Sequence, residues 1–118
     1  MRIGELAKLA GVSTSKIRFY ETSGLLPSAA RRANGYRDYG VDALEVVTFI
    51  DRARSLGFTL RDVATHLRSA RGEGRKARLQ ARLEDKLVEL DLHLEQVRAR
   101  RTMIVELIDE VRATRETA

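Results

Sequence analysis

Residues 4–24, Gly4-Glu5-Leu6-Ala7-Lys8-Leu9-Ala10-Gly11-Val12-Ser13-Thr14-Ser15-Lys16-Ile17-Arg18-Phe19-Tyr20-Glu21-Thr22-Ser23-Gly24, decide how the N-terminal part of this chain folds. Residues 4 to 10 read as a short helix ending at Gly11, which can take the left-handed conformation of a C-terminal cap. Ser13 or Thr14 then caps a second helix running to about Ser23. Gly24 stops that helix, and Pro27 prevents an immediate restart. Two helices of this length joined by three residues form a helix-turn-helix candidate. Such a pair needs a small residue where the helices cross and a flexible one in the turn, and Ala7 and Gly11 supply them. Leu6, Ala10, Val12, Ile17 and Tyr20 are spaced to share the core between them.

With those residues inward, the second helix turns Thr14, Ser15, Lys16 and Arg18 outward, near the N-terminal end that enters a major groove in DNA readers. Arg18 can donate two parallel hydrogen bonds to a guanine edge or clamp a phosphate, and Lys16 is a flexible point charge. A helical hairpin with a solvated basic face is the plainer alternative. The segment beyond the second helix favours the DNA reader. Between Pro27 and Gly40 stand Arg31, Arg32, Asn34-Gly35, Tyr36, Arg37 and Tyr39. Asn-Gly suits a tight hairpin turn, and Tyr36-Arg37-Asp38-Tyr39 alternates aromatic with charged residues, so the stretch reads as a small two-stranded wing. Arg31, Tyr36, Arg37 and Tyr39 would flank the same groove. Tyr39 can equally pack beneath the wing as core, whereas Tyr36, beside the turn, belongs nearer the surface.

Charge agrees with this placement. Residues 1–40 hold seven Lys/Arg against three Asp/Glu, residues 41–74 five against five, and residues 75–118 ten against nine. Most of the net +5 therefore lies in the N-terminal third, where a footprint on a polyanion is expected.

A third helix is predicted from about Asp42 to Leu56, with Leu44, Val47, Phe49 or Ile50, and Ala53 as its apolar stripe and Gly57 as its end. Thr59 caps a fourth, about Leu60 to Arg71. Arg71-Gly72-Glu73-Gly74-Arg75 carries two glycines among charges and reads as a hinge, the one internal boundary. Beyond it there is neither glycine nor proline, which permits one helix of about 38 residues, roughly 57 Å long. Leu83, Leu90, Val97, Ile104 and Val111 repeat every seven residues along it, as do Leu87, Leu94, Arg101 and Ile108 at the neighbouring position. This is a heptad seam, and it must be buried. The preceding domain is too small to cover its length, so a second copy of the chain is the economical partner. Folding back on its own domain is the alternative. Heptads alone leave the coil's orientation open. Arg101 can set register, meet a carboxylate or snorkel out of the seam.

The chain has no cysteine, hence no disulfide and no thiolate metal site. His66 and His93 lie 27 residues apart, unlike the short-spaced ligand pair of a zinc site, and read as exposed or capping residues. No nucleophile with a base, and no paired acid and base, is legible, so no enzyme is expected. No apolar run approaches the roughly 20 residues that span a bilayer, and no signal peptide is evident, so a cytoplasmic protein is expected.

The segments Ile3-Gly4-Glu5-Leu6-Ala7, Ile17-Arg18-Phe19-Tyr20-Glu21, Gly24-Leu25-Leu26, Asn34-Gly35-Tyr36-Arg37-Asp38-Tyr39 and Arg54-Ser55-Leu56-Gly57-Phe58-Thr59-Leu60 together resemble the MerR family of bacterial transcriptional regulators. The resemblance is specific over about residues 1–70, and the long helix matches in kind and position. It implies an antiparallel coiled-coil dimer whose two winged domains bind successive major-groove faces of a palindromic promoter. In that family the dimer bends and untwists an overlong promoter spacer, so that RNA polymerase engages both elements when an effector is bound. The motifs imply that Arg18, Tyr20, Tyr36, Arg37 and Arg54 contact DNA, chiefly its phosphates, and extend less directly to Lys16. The metal-sensing and iron-sulfur members use cysteines that this sequence lacks, and the multidrug members a large C-terminal ligand domain. An effector would have to sit near the 71–76 hinge, or there is none.

The expectation is thus a mainly α protein, with a winged helix-turn-helix over residues 1–71 and a hinge and dimerisation helix over residues 72–118. It would act as a homodimer on promoter DNA, without metal or cofactor. An architectural or excisionase-like DNA binder and a pure coiled-coil interaction protein are the rival functions.

Overall fold

The computed structural model describes residues 1–27, 29–31 and 35–117, the side chains of Ala30 and Arg31 excepted. It divides into two compact units, Met1–Ser69 and Ala70–Ala118. Among the described residues the order is α1 (Ile3–Ala10), α2 (Thr14–Thr22), β1 (Ala30–Arg31), β2 (Arg37–Asp38), α3 (Val41–Ser55), α4 (Leu60–Arg68) and α5 (Glu73–Thr117).

The first unit is built by short signals in the backbone. Gly11 ends α1 at φ +71°, the left-handed region in which a side chain would be strained. Two residues later Ser13 caps α2, its hydroxyl accepting the Lys16 amide at 3.1 Å. At α4 the cap is reciprocal: Thr59 Oγ1 accepts the Asp62 amide and the Asp62 carboxylate accepts the Thr59 amide, both at 3.1 Å. α1 packs on α2 and α3, and α4 on α3. Leu6, Ile17, Tyr20, Leu26, Val47, Ile50 and Val63 fill the core they enclose.

The strands pair antiparallel, Ala30 with Asp38 and Arg31 with Arg37. Asn34, and with it the expected Asn-Gly turn, lies outside the described residues, as does Arg32. The first residue of the chain also binds the wing. The Tyr39 amide donates to the Met1 carbonyl at 2.7 Å, and the Met1 amine donates to Asp38 Oδ1 at 2.8 Å and to the Tyr39 carbonyl at 2.7 Å.

Two helix boundaries differ from the sequence expectation by more than one residue. α4 stops at Arg68, three residues early, because the Ser69 amide and hydroxyl both donate to the His66 carbonyl and the backbone turns extended there. α5 begins at Glu73, so most of the expected 71–75 hinge is helical. Gly72, at φ +125°, makes the break, and Gly74 falls in a first turn where its amide needs no helical partner. α5 therefore runs 45 residues, about 67 Å, not 38. His66, in the last turn of α4, is half-buried rather than exposed and stacks on Phe49, with centroids 5.0 Å apart.

A charged group stands inside the first unit. Glu21 is one helical turn from Ile17, so the period that buries Ile17 and Tyr20 buries it too, and its side chain is only 4% exposed. The Tyr39 hydroxyl and the Arg37 guanidinium both donate to its carboxylate. A buried acid is tolerated only when its oxygens are met in this way. Glu21→Ala should lower stability by about 2–3 kcal/mol, less than a fully buried pair because Arg37 is 40% exposed. Thermal unfolding should show a melting temperature lower by roughly 10–20 °C; an unchanged value would remove Glu21 from any structural role.

Candidate nucleic-acid interface

The exposed face of α2 carries Ser15, Lys16 and Arg18, with Thr14 half-buried at its first position. Ile17 and Tyr20 point the other way, into the core, because the helical period leaves residues 15, 16 and 18 nowhere else to go. Arg18 lines an open cleft of about 740 Å³ together with Arg2, Glu21, Tyr36 and Arg37. The cleft lies between the start of α1, one side of α2 and the wing. Tyr36 is 54% exposed, and the Arg2 guanidinium carbon sits 4.2 Å from its ring centroid, a cation-π contact that holds a planar, permanently charged group at the mouth of the cleft. Arg37 gives one amino group to Glu21 and keeps the rest of a partly exposed side chain at the surface.

A second polar group spans α2 and α3. Lys16 Nζ donates to Asp51 Oδ1 at 2.8 Å, and this bond holds the ammonium above its ordinary pKa. Arg54, one turn beyond Asp51, donates to the Phe58 carbonyl at 3.0 Å, a neutral acceptor that leaves its charge uncompensated. Arg31 contributes its backbone to β1, and its side chain lies outside the described residues.

Two of the candidate contact residues are buried, although Tyr39 also lines the cleft. Tyr20 and Tyr39 are each 2% exposed. Tyr39 points its hydroxyl at Glu21, which makes it part of the brace under the wing. The Tyr20 hydroxyl has no hydrogen-bond partner among the described residues. Sequence reasoning placed Tyr20 both in the shared core and, by resemblance, on DNA; the structure places it in the core. It missed Arg2, Glu21 and Asp51. Glu21 had a readable signal, a charge at an inward helical position. Arg2 precedes the first helix, and Asp51 belongs to a different helix from its partner, so no spacing rule reaches either.

Burial pushes the phenols of both Tyr20 and Tyr39 up, and in Tyr39 the bond to Glu21 adds to it. Because the folded-state values exceed the unfolded ones, the stability these groups supply is complete below about pH 10 and is lost as the pH rises through the raised values. An alkaline unfolding curve followed by helical circular dichroism should show that loss, weakened in Tyr39→Phe; a flat curve to pH 12 would contradict the buried placement. Tyr20→Phe removes an unsatisfied hydroxyl and should stabilise by about 1 kcal/mol. Its affinity for duplex DNA should stay within about twofold, since a core hydroxyl makes no phosphate contact. A large loss of affinity at unchanged stability would return Tyr20 to the DNA surface.

Sequence profiles of two families match the chain, one described as MerR HTH family regulatory protein over residues 1–70, the other as MerR, DNA binding over residues 44–116. The transcriptional regulator HmrR of Sinorhizobium medicae is 46% identical over 63 residues, covering 53% of this chain and 43% of that protein. The chain thus matches less than half the length of this relative. The regulator CueR of Escherichia coli O6:H1 is 32% identical over 108 residues, which cover 91% of this chain and 80% of CueR. The structure of the transcription regulator PbrR691 from Ralstonia metallidurans CH34, in complex with lead(II), matches with a TM-score of 0.70 at 32% identity, covering 91% of this chain and 84% of that one. With both profiles spanning most of its length and its helix-turn-helix, wing and long α5 in the same order, the chain belongs to the MerR family of transcriptional regulators.

Proposed function

We propose that this chain is a transcriptional regulator that binds promoter DNA as a homodimer, each winged unit reading one half-site and the pair distorting the duplex between them. The observation that carries the reading is the convergence of Arg18 on α2 with Tyr36 and Arg37 of the wing around one open cleft. A recognition helix with a basic flank of this kind is how a helix-turn-helix fixes its register on phosphates before reading bases. Thr14 and Ser15 at the start of α2 and Arg54 on α3 extend the surface, with Arg31 as a further wing contact, whereas Lys16 stands among them with its charge held by Asp51.

Dimerisation rests on α5. Leu83, Leu87, Leu90, Leu94, Val97, Ile104, Ile108 and Val111 are each between 42% and 60% exposed in a single chain. Burying this seam against a second copy stabilises by on the order of 10 kcal/mol before the entropy of association. A dimer of two such arms suits a palindromic site, and the family's antiparallel arrangement is the orientation we adopt. An architectural or excisionase-like binder would use the same motif without promoter control. The long lever favours two rigidly spaced half-sites and so the regulator.

RNA polymerase would be engaged only through the promoter. No helix among the described residues is long and apolar enough to cross a membrane, which fits a cytoplasmic regulator. The lead(II) of PbrR691 is not carried over: this sequence has no cysteine, and the described residues contain no cluster of three or more histidines and carboxylates able to hold a metal.

Selection of duplexes from a random pool by the purified chain should return a palindromic site, bound less tightly as salt rises because phosphate contacts release counterions. Arg18→Ala should abolish binding to that site and leave the dimer intact. Leu90→Asp should give monomers by sedimentation and lose the site as well. A flat salt response, or an unchanged dimer in Leu90→Asp, would sink the corresponding half of this reading.

A further inference from the structure

The ion pair between Lys16 and Asp51 bears on the strength of DNA binding, and it rests on the DNA-binding reading above. Lys16 stands on the exposed face of α2, two residues before Arg18, where an unpaired ammonium would add one positive charge to the surface offered to DNA. Instead its Nζ is 2.8 Å from Asp51 Oδ1. Asp51 belongs to α3 and lies one turn before Arg54, on the same side of that helix. A carboxylate is thereby set between two candidate phosphate contacts, where alone it would repel the backbone of any duplex. The pair is half open to solvent, with the side chains 46% and 34% exposed, so it supplies little stability. Its placement is better explained by what it does to the surface charge.

We infer that Asp51 masks Lys16: the pair makes that lysine electrostatically silent toward duplex DNA, and Asp51 is a residue that limits the chain's affinity for DNA. The cations around α2 then divide into two sets. Lys16 is neutralised by Asp51 and Arg37 is shared with Glu21, whereas Arg18 and Arg54 face outward without a carboxylate in any described contact. Sequence-independent affinity is set by how many phosphates a protein neutralises, so silencing one cation lowers it for every duplex. A regulator dispersed over a great excess of non-cognate sites benefits from that restraint.

The test uses the full chain and one arbitrary-sequence duplex, with affinity measured across a salt series. Asp51→Asn should bind it roughly three- to tenfold more tightly near 0.1 M salt, with the slope of log K against log salt steeper by about 0.9, the signature of one added phosphate contact. The charge-neutral double variant Lys16→Met with Asp51→Asn should match the wild type within about twofold in affinity and in slope. Thermal melts of all three proteins should coincide to within a few degrees, which keeps a folding defect from imitating either result. Unchanged affinity and slope in Asp51→Asn would overturn the inference. So would a double variant that loses a full contact, since Lys16 would then reach DNA in spite of Asp51. If the wild type shows no salt-dependent binding to duplex, the DNA-binding reading fails together with the masking; if the wild type binds and only the Asp51 variants misbehave, the masking alone fails.

Discussion

The carboxylate of Glu21 is the constraint on which the shape of the winged unit depends. A charge with a 4% exposed side chain needs its oxygens met, and the groups that meet them, the Tyr39 hydroxyl and the Arg37 guanidinium, both come from the second half of the wing. β1 and β2 are two residues each, too short to hold a hairpin in place by their own hydrogen bonds. The wing is therefore positioned by side chains. Because Glu21 lies on α2, one turn beyond Ile17, the same bonds that place the wing place it relative to the exposed face of α2. The bonds from Tyr39 to Met1 tie the start of α1 into the same frame. Arg18, Arg2 and Tyr36 come to share a cleft as a result.

That arrangement separates two uses of positive charge. Arg37 and Lys16 are paired with acids of the same chain, and their charges serve to fix the wing and to quiet α2. Arg54 and Arg2 are held by a neutral group and by an aromatic face, Arg54 by the Phe58 carbonyl and Arg2 by the Tyr36 ring. A guanidinium held in these ways is oriented without being neutralised, which is the condition for meeting a phosphate at low cost in side-chain entropy. The surplus of basic residues in the first forty overstates the charge available to DNA, because part of it is spent internally.

Much of the fold was readable from single residues whose backbone or side-chain chemistry allows few alternatives. Gly11 and Gly57 close α1 and α3 with positive φ, and Ser13 and Thr59 cap α2 and α4. What escaped reading was decided by pairs from different elements. The spacing of Tyr20 and the alternation around Tyr39 left each open between core and DNA surface, and the burial of both side chains decides for the core. Asp51 looks like one more solvated charge on α3 until Lys16 is found across from it. The ends of α4 and α5 were missed for a local reason: Ser69 competes for the His66 carbonyl, and Gly74, alarming in a helix interior, costs little in a first turn.

The two units differ in what a single chain can complete. The winged unit encloses its own core, with Leu6, Ile17, Val47 and Ile50 fully inaccessible. α5 has no buried residue along its 45 positions. Its apolar residues recur every 3.5 positions, while an α-helix turns every 3.6, so the stripe drifts by about 20° per heptad around a straight helix. A flat surface could cover only part of such a stripe. A second helix of the same pattern, wound left-handed around it, would follow the drift along its whole length, which is the geometric ground for the proposed dimer through α5. In the proposed dimer Arg101 would interrupt the seam between Val97 and Ile104, where its charge would need either a carboxylate of the partner or a stem long enough to carry it to the seam's edge.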